Sequence, residues 1–177
     1  MSKDISKFLS LVLRHEPQTI GITLDAGGWV AAEELIAKAR LAGRDIDDTR
    51  LRALVAENDK QRFTLSEDGL RIRAAQGHSV PVDLGLVPIA PPDILYHGTA
   101  VSALEAILRE GLLPQGRQKV HLSADSTTAG KVGKRHGKPV VLTVAAGQMQ
   151  ADGLVFWQAE NGVWLTDAVP SAYLSQP

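Results

Sequence analysis

The chain has 177 residues, 44% of them hydrophobic and 22% charged, with a net charge of −1 and no cysteine. These values exclude a disordered chain, a disulfide-stapled scaffold, thiolate metal sites and cysteine nucleophiles, and they give no global attraction to nucleic acid. Any polyanion must therefore be held by a local cluster of cations.

The first half reads as helix, helix, helix, hairpin. In residues 4–15, Ile5, Phe8, Leu9 and Val12 recur at helical spacing, while Lys3, Lys7, Ser10 and Arg14 fall on the opposite stripe. Arg14 and His15 close this helix before Pro17, with Arg14 expected on the polar face. Gly27 and Gly28 punctuate the chain before a helix read from "WVAAEELIAKAR", which carries Leu35 and Ile36. Asp47 or Asp48 is suited to N-cap the next helix, whose buried stripe is Leu51, Leu54 and Val55. "QRFTL" and "LRIRA" then alternate with period two around "SEDG", placing Phe63 and Leu65 on one face and Arg62 and Thr64 on the other. Three short helices followed by a hairpin is the pattern of a winged-helix module.

Residues 79–92, "SVPVDLGLVPIAPP", carry four prolines and no helical period, and they read as an extended linker. Beyond it, "ILYHGT", "VHLS", "PVVLTV", "GLVFWQ" and "GVWLT" read as short strands. "AVSALEAILREG" and "DSTTAGKVGKRHG" read as helices closed by Gly111 and Gly137. The expected organisation is α+β, with a lobe over 1–78, a linker over 79–92 and a mixed lobe over 93–177. No run approaches the ~20 apolar residues of a bilayer span, and "MSKDISKF" has no apolar stretch behind its basic residues. A cytoplasmic protein, monomeric by default, is the expectation.

No P-loop, GxGxxG, HExxH or GxSxG motif is present, and His15, His78, His97, His121 and His136 lack metal-ligand spacing, so no metal is expected. Taken singly, Arg14 and Arg135, each near a helix end, are explained by complementing a helix dipole, Arg135 also by a plain surface charge, and Arg62 by a solvated position on the hairpin. "YHGT" reads as a strand end turning into a helix opened by Thr99. That corner is either a plain capped turn or a set of free N–H donors for an amide or phosphate. "VHLS" puts His121 and Ser123 on one face of a strand, lining a cleft or satisfied inside the core. Trp157 and Trp164 read as core, and the Asn-Gly of "ENGVWLT" as a hairpin turn.

Taken together, "SKFLSLVLRH", "GGWV", "NDKQRF", "QGHS", "YHGT", "VHLS", "GKRHGKPVVL" and "NGVWLT" resemble, in order and over nearly the whole chain, the NAD-dependent RNA 2′-phosphotransferases. The resemblance implies a winged-helix RNA-binding lobe followed by an ADP-ribosyltransferase-like NAD-binding lobe. It implies a catalytic set of Arg14, His15, Arg62 and Arg135, meeting in a cleft between the halves. It also implies an NAD site of His97, His121 and Val163, with Gly98, Thr99 and Ser123 as further contacts, and no metal. The implied reaction moves an internal RNA 2′-phosphate, as in a spliced tRNA, onto NAD through ADP-ribosylated RNA. The products are 2′-hydroxyl RNA, ADP-ribose 1″,2″-cyclic phosphate and nicotinamide. Lys119 in "RQKVHLS" departs from the histidine of many relatives, which leaves the use of the neighbouring Arg117 open. There is no late-strand glutamate of the kind many ADP-ribosyltransferases carry. Two alternatives compete: ADP-ribosylation of terminal phosphates or a protein side chain, and a winged-helix regulator binding duplex DNA. The second finds a poor footprint in "DDTRLRALVAEN", where Arg50 and Arg52 sit among Asp47, Asp48 and Glu57.

Overall fold

Helix α1 (Ser2–Arg14) buries the stripe its spacing dictates: Ile5, Phe8, Leu9, Val12 and Leu13 enter one apolar cluster with Leu35, Leu51, Phe63 and Ile72. The computed structural model describes residues 2–58 and 60–176. They divide into two compact units, one up to Gly85 and one from Leu86. Each unit has its own core, and small antiparallel sheets mix with helices in both, in keeping with the α+β expectation.

In the first unit, β1 (Val30–Ala31), β2 (Phe63–Leu65) and β3 (Arg71–Ala74) form an antiparallel sheet in the order β1-β3-β2. Its register, Val30 opposite Ile72 and Phe63 opposite Ala74, turns Val30, Phe63, Leu65, Ile72 and Ala74 toward the helices. Arg62, Thr64, Arg71 and Arg73 take the other face. Helix α2 (Ala32–Leu41) starts later than its sequence suggests. Val30 and Ala31 pair with β3 first, because a β-branched residue beside an open strand edge gains a ladder partner. Helix α3 (Asp48–Glu57) is capped by Asp47, whose Oδ1 accepts from Arg50 N–H at 2.7 Å. Residues 79–83 remain tied to this unit: Ser79 N–H donates to Arg14 O and Asp83 N–H to Ala26 O.

In the second unit, β4 (Leu95–Ala100), β6 (Pro139–Val144) and β9 (Leu174–Ser175) make one sheet, in the order β4-β6-β9. Strands β5 (Val120–Leu122), β8 (Trp164–Thr166) and β7 (Phe156–Gln158) make another, in the order β5-β8-β7. The two sheets join at one antiparallel bridge, where Tyr96 and Ser123 exchange both backbone bonds, 2.9 and 2.8 Å. Leu95, Val120, Leu122, Val144, Met149, Phe156 and Trp164 form the core. Helix α4 (Val101–Glu110) ends at Gly111, φ +83°, and α5 (Ser126–Lys134) is capped by Asp125. Helix α6 (Ala146–Ala151) and β9 have no counterpart in the sequence reading. The first buries only Ala146 and Met149, and the second has two residues, too few for a period to register. No helix among the described residues is long and apolar enough to cross a membrane.

Candidate functional site

In the first unit, Arg14 is not on a solvated face. The end of α1 is covered by residues 75–80, which leave Arg14 8% exposed. Ser79 N–H and Val80 N–H donate to its carbonyl at 2.9 and 3.3 Å. Gly77, at φ +92°, lies so close that a Cβ there would stand 3.3 Å from Arg14 Nε. Complementing the helix dipole does not require burial of the guanidinium, so the surface expectation for Arg14 is corrected. The half-buried His15 follows it, with Nδ1 2.8 Å from Ser79 Oγ. Arg62 is half-buried on β2's polar side, and its carbonyl accepts from Ala75 N–H at 2.8 Å. The short run 75–77 thus touches Arg62 at one end and Arg14 at the other.

Local pattern assigns no role to Arg73, Gln76 or His78, all buried here. The guanidinium of Arg73 lies 4.4 Å from the centre of the Trp29 ring, and its Nη1 donates to Gly27 O at 3.2 Å. Arg71 also overlies that ring, at 5.3 Å. His78 is 2% exposed, and its pKa falls to about 4, first through burial and then through the charges of Arg14, Arg73 and His15. Only the part of this shift that comes from Arg14, Arg73 and His15 reflects positive charge around the ring. Period two in "LRIRA" does put Arg71 and Arg73 on the face of Arg62, which is the one signal the sequence offers for them.

In the second unit, "YHGT" is not a corner. All six residues of β4 pair with β6, Gly98 opposite Val141 and Thr99 opposite Val140, and α4 begins only after Ala100, without a side-chain cap. Gly98 is required for another reason: a Cβ there would lie 1.6 Å from the carbonyl oxygen of Ala129, because α5 presses directly on the strand. Gly133 of α5 is also pressed onto β4, where its Cβ would stand 2.7 Å from Thr99 O. Arg135, exposed, is the C-cap two residues further on. Arg135 therefore ends the helix that packs on Gly98 and Thr99.

His97, His121 and Ser123 gather at the bridge between the sheets. His97 Nδ1 donates to His121 O at 3.1 Å, and Arg117 Nη1 donates to His121 Nδ1 at 2.6 Å. Burial holds the His97 imidazole below its ordinary pKa, the bond to the carbonyl opposes this, and the charge of His136 reinforces it. Val163 lies one step before β8, and continuing the β5–β8 register places it opposite Ser123. Strand alternation then sets His121, Ser123 and Val163 on one face and the core residues Val120, Leu122 and Trp164 on the other. Trp164 is core, as expected. Trp157 is not: it is half-buried under Lys119, 4.1 Å from the ring centre, and Lys119 also pairs with Asp167. Lys119 is thus held by the Trp157 ring and Asp167. No three His, Asp or Glu side chains among the described residues are grouped to hold a metal ion.

Residues 1–168 match the family described as RNA 2′-phosphotransferase, Tpt1/KptA family. The chain belongs to this family. A probable RNA 2′-phosphotransferase of Agrobacterium fabrum is 65% identical over 175 residues, spanning 99% of this chain and 94% of that protein. Proteins of the same printed name from Acaryochloris marina and Hahella chejuensis are each 55% identical, over 97% and 98% of this chain and 94% and 93% of theirs. The resemblance carried by the short motifs is borne out across almost the whole sequence.

Proposed function

We propose that this protein is an NAD-dependent RNA 2′-phosphotransferase, with residues 1–78 a winged-helix lobe that binds RNA. In this reading 79–92 is the connection, and 93–177 an ADP-ribosyltransferase-like lobe that binds NAD. Besides family membership, the observation that carries the reading is the buried Arg14 beside His15, in surroundings that keep His78 uncharged. Such a grouping of positive side chains suits an RNA phosphate dianion, since guanidinium forks match phosphate oxygens and stay charged at every relevant pH.

The half-buried imidazoles at the sheet junction fit a dinucleotide, which offers them hydroxyls and amides to bond. NAD would supply an anomeric carbon for attack by the 2′-phosphate oxygen, with loss of nicotinamide, and a neighbouring hydroxyl for attack on the phosphorus, with the bond to the RNA 2′-oxygen breaking and the RNA leaving as its 2′-hydroxyl. His97, His121, Ser123 and Val163, with Gly98 and Thr99, orient it. Arg14 and His15 hold the nucleophilic phosphate, so the first step is a positioning problem. Arg62 and Arg135 stabilise the charge that builds on phosphorus in the second step, without a metal. The substrate is RNA with an internal 2′-phosphate, as left by tRNA splicing, and the protein acts as a cytoplasmic monomer. The DNA-regulator alternative loses ground, because Arg52 on α3 is bound to Asp48 at 2.7 Å and Arg50 to Asp45 O at 3.1 Å.

The test is incubation with NAD and a short 2′-phosphorylated RNA, followed by product separation. Wild type should give 2′-hydroxyl RNA and ADP-ribose cyclic phosphate. Arg135→Ala should accumulate ADP-ribosylated RNA, whereas His97→Ala should raise the KM for NAD before any adduct forms. A stable ADP-ribosyl adduct as the wild-type end product, or unchanged turnover in both variants, overturns the assignment.

A further inference from the structure

Between Asp125 and Asp152 the chain carries no acidic residue, yet it places Lys131, Lys134, Arg135 and Lys138 close together, with His136 among them. In a chain of net charge −1 this is a local excess of positive charge. All five side chains are exposed, and none forms an ion pair among the described residues. Asp125, at the other end of α5, is bonded to Thr128 N–H and Oγ, with the charge of Lys131 a lesser influence on it.

The fold sets these cations on one side. Ala129 and Gly133 are the buried residues of α5, where the helix presses on Gly98 and Thr99. Successive helical residues turn by about 100°, so Lys131, Lys134 and Arg135 fall within an arc of about 100° on the face away from that contact. Like charges three and four apart on a helix repel, so helix stability does not call for this set. The dipole of α5 accounts for a cation or two in its last turn. It does not account for Lys138, which lies beyond the helix, its carbonyl accepting from Val101 N–H at the start of α4. There the positive end of a second helix disfavours a cation.

We propose that Lys131, Lys134 and Lys138 form a docking surface for single-stranded RNA, holding the backbone phosphates that flank the one taken by Arg135. This deepens the functional reading above and rests on it for the RNA and for Arg135. Lys131 and Arg135 span about 6 Å of helix axis, enough for adjacent phosphates of one strand. His136 acts through its charge on the His97 imidazole, so the surface borders the sheet junction. Lysine holds a phosphate as a flexible point charge and reads no base, so the grip is independent of RNA sequence. A lipid surface fits less well, because residues 126–138 expose no large apolar side chain to enter a bilayer, Val132 being half-buried.

The test is fluorescence anisotropy of a dye-labelled single-stranded RNA with one internal 2′-phosphate, titrated with the full-length protein at several salt concentrations without NAD. The variants are Lys131→Gln, Lys134→Gln and Lys138→Gln, singly and combined, and the combined Lys131→Arg, Lys134→Arg, Lys138→Arg. Each should keep the wild-type thermal midpoint, since the replaced side chains are exposed. Each single loss should weaken binding about fourfold at ~0.15 M salt and lower the slope of log Kd against log salt by about 0.7. The triple glutamine variant should lose about fifty-fold and about 2 in slope, and the arginine variant should bind as wild type does. With NAD, kcat and KM for a dinucleotide bearing the same 2′-phosphate should not change, because it is too short to run along α5. An unchanged Kd and slope in the triple glutamine variant overturns the surface. So does an equal loss on the dinucleotide, which would put the lysines at the reacting phosphate. Loss of binding to mixed phosphatidylcholine–phosphatidylserine vesicles or to polyglutamate, with RNA binding intact, assigns the face to a membrane or an acidic protein and also overturns it. Wild type that grips RNA through these lysines but never turns over NAD defeats the phosphotransferase reading and leaves the surface standing.

Discussion

Acidification from pH 7 to pH 5 should weaken the first unit through one buried imidazole. His78 is 2% exposed and titrates near 4 in the folded chain against an ordinary 6.5, because burial and the charges of Arg14, Arg73 and His15 all oppose its protonation. A base whose folded pKa is depressed binds its proton more readily when unfolded. Its contribution to stability is therefore complete above about 6.5 and is lost as the pH falls toward 4. Each tenfold loss of proton affinity on folding corresponds to about 1.36 kcal/mol, so the full loss below pH 4 is about 3 kcal/mol, and the part expressed between pH 7 and pH 5 about 2 kcal/mol. Burial in His97 acts in the same direction in the second unit, so the comparison must isolate His78. Urea unfolding at both pH values, followed in wild type and His78→Gln, does this. The variant should lose about 2 kcal/mol less than wild type on acidification, whatever its stability at pH 7. Equal losses in the two proteins, or an NMR titration of His78 centred above pH 6, would refute the reasoning.

Other changes test the packing and the caps. Gly98→Ala forces a methyl into the Ala129 carbonyl, a backbone group that cannot step aside. The second unit should lose about 3 kcal/mol or more, and an unchanged thermal midpoint would show that α5 does not lie on β4 as described. Asp47→Ala removes the 2.7 Å bond to Arg50 N–H at the start of α3 and should cost about 1 kcal/mol in urea unfolding; no loss would deny the cap.

Where a segment's own period decides its structure, the sequence is a sufficient guide. The apolar stripe of α1, the alternation of β2 and β3, the run Pro139–Val144 and the Gly111 stop all fold as their local chemistry directs. What escapes depends on partners far along the chain. A helical wheel places Arg14 opposite the core stripe, but the cover that buries it comes from residues 75–80. Val30 and Ala31 become a strand only because β3 arrives some forty residues later. Gly98 does serve close backbone approach, but inside a strand rather than at a turn, since nothing local announces that α5 lands on it. The candidate site divides the same way. Family motifs supply its residue names, whereas the burial of Arg73 and His78 and the Arg117–His121 contact emerge only once the chain is folded.

Besides their shared core, the second unit's two sheets are stitched like the leaves of a book by the rung between Tyr96 and Ser123, with the bond from His97 Nδ1 to His121 O beside it. His97 sits beside the stitch on one leaf and His121 on the other, so any molecule gripping both rings pins the leaves together. Occupancy should accordingly register as slowed amide exchange at Tyr96 and Ser123 before it registers anywhere else in the spine.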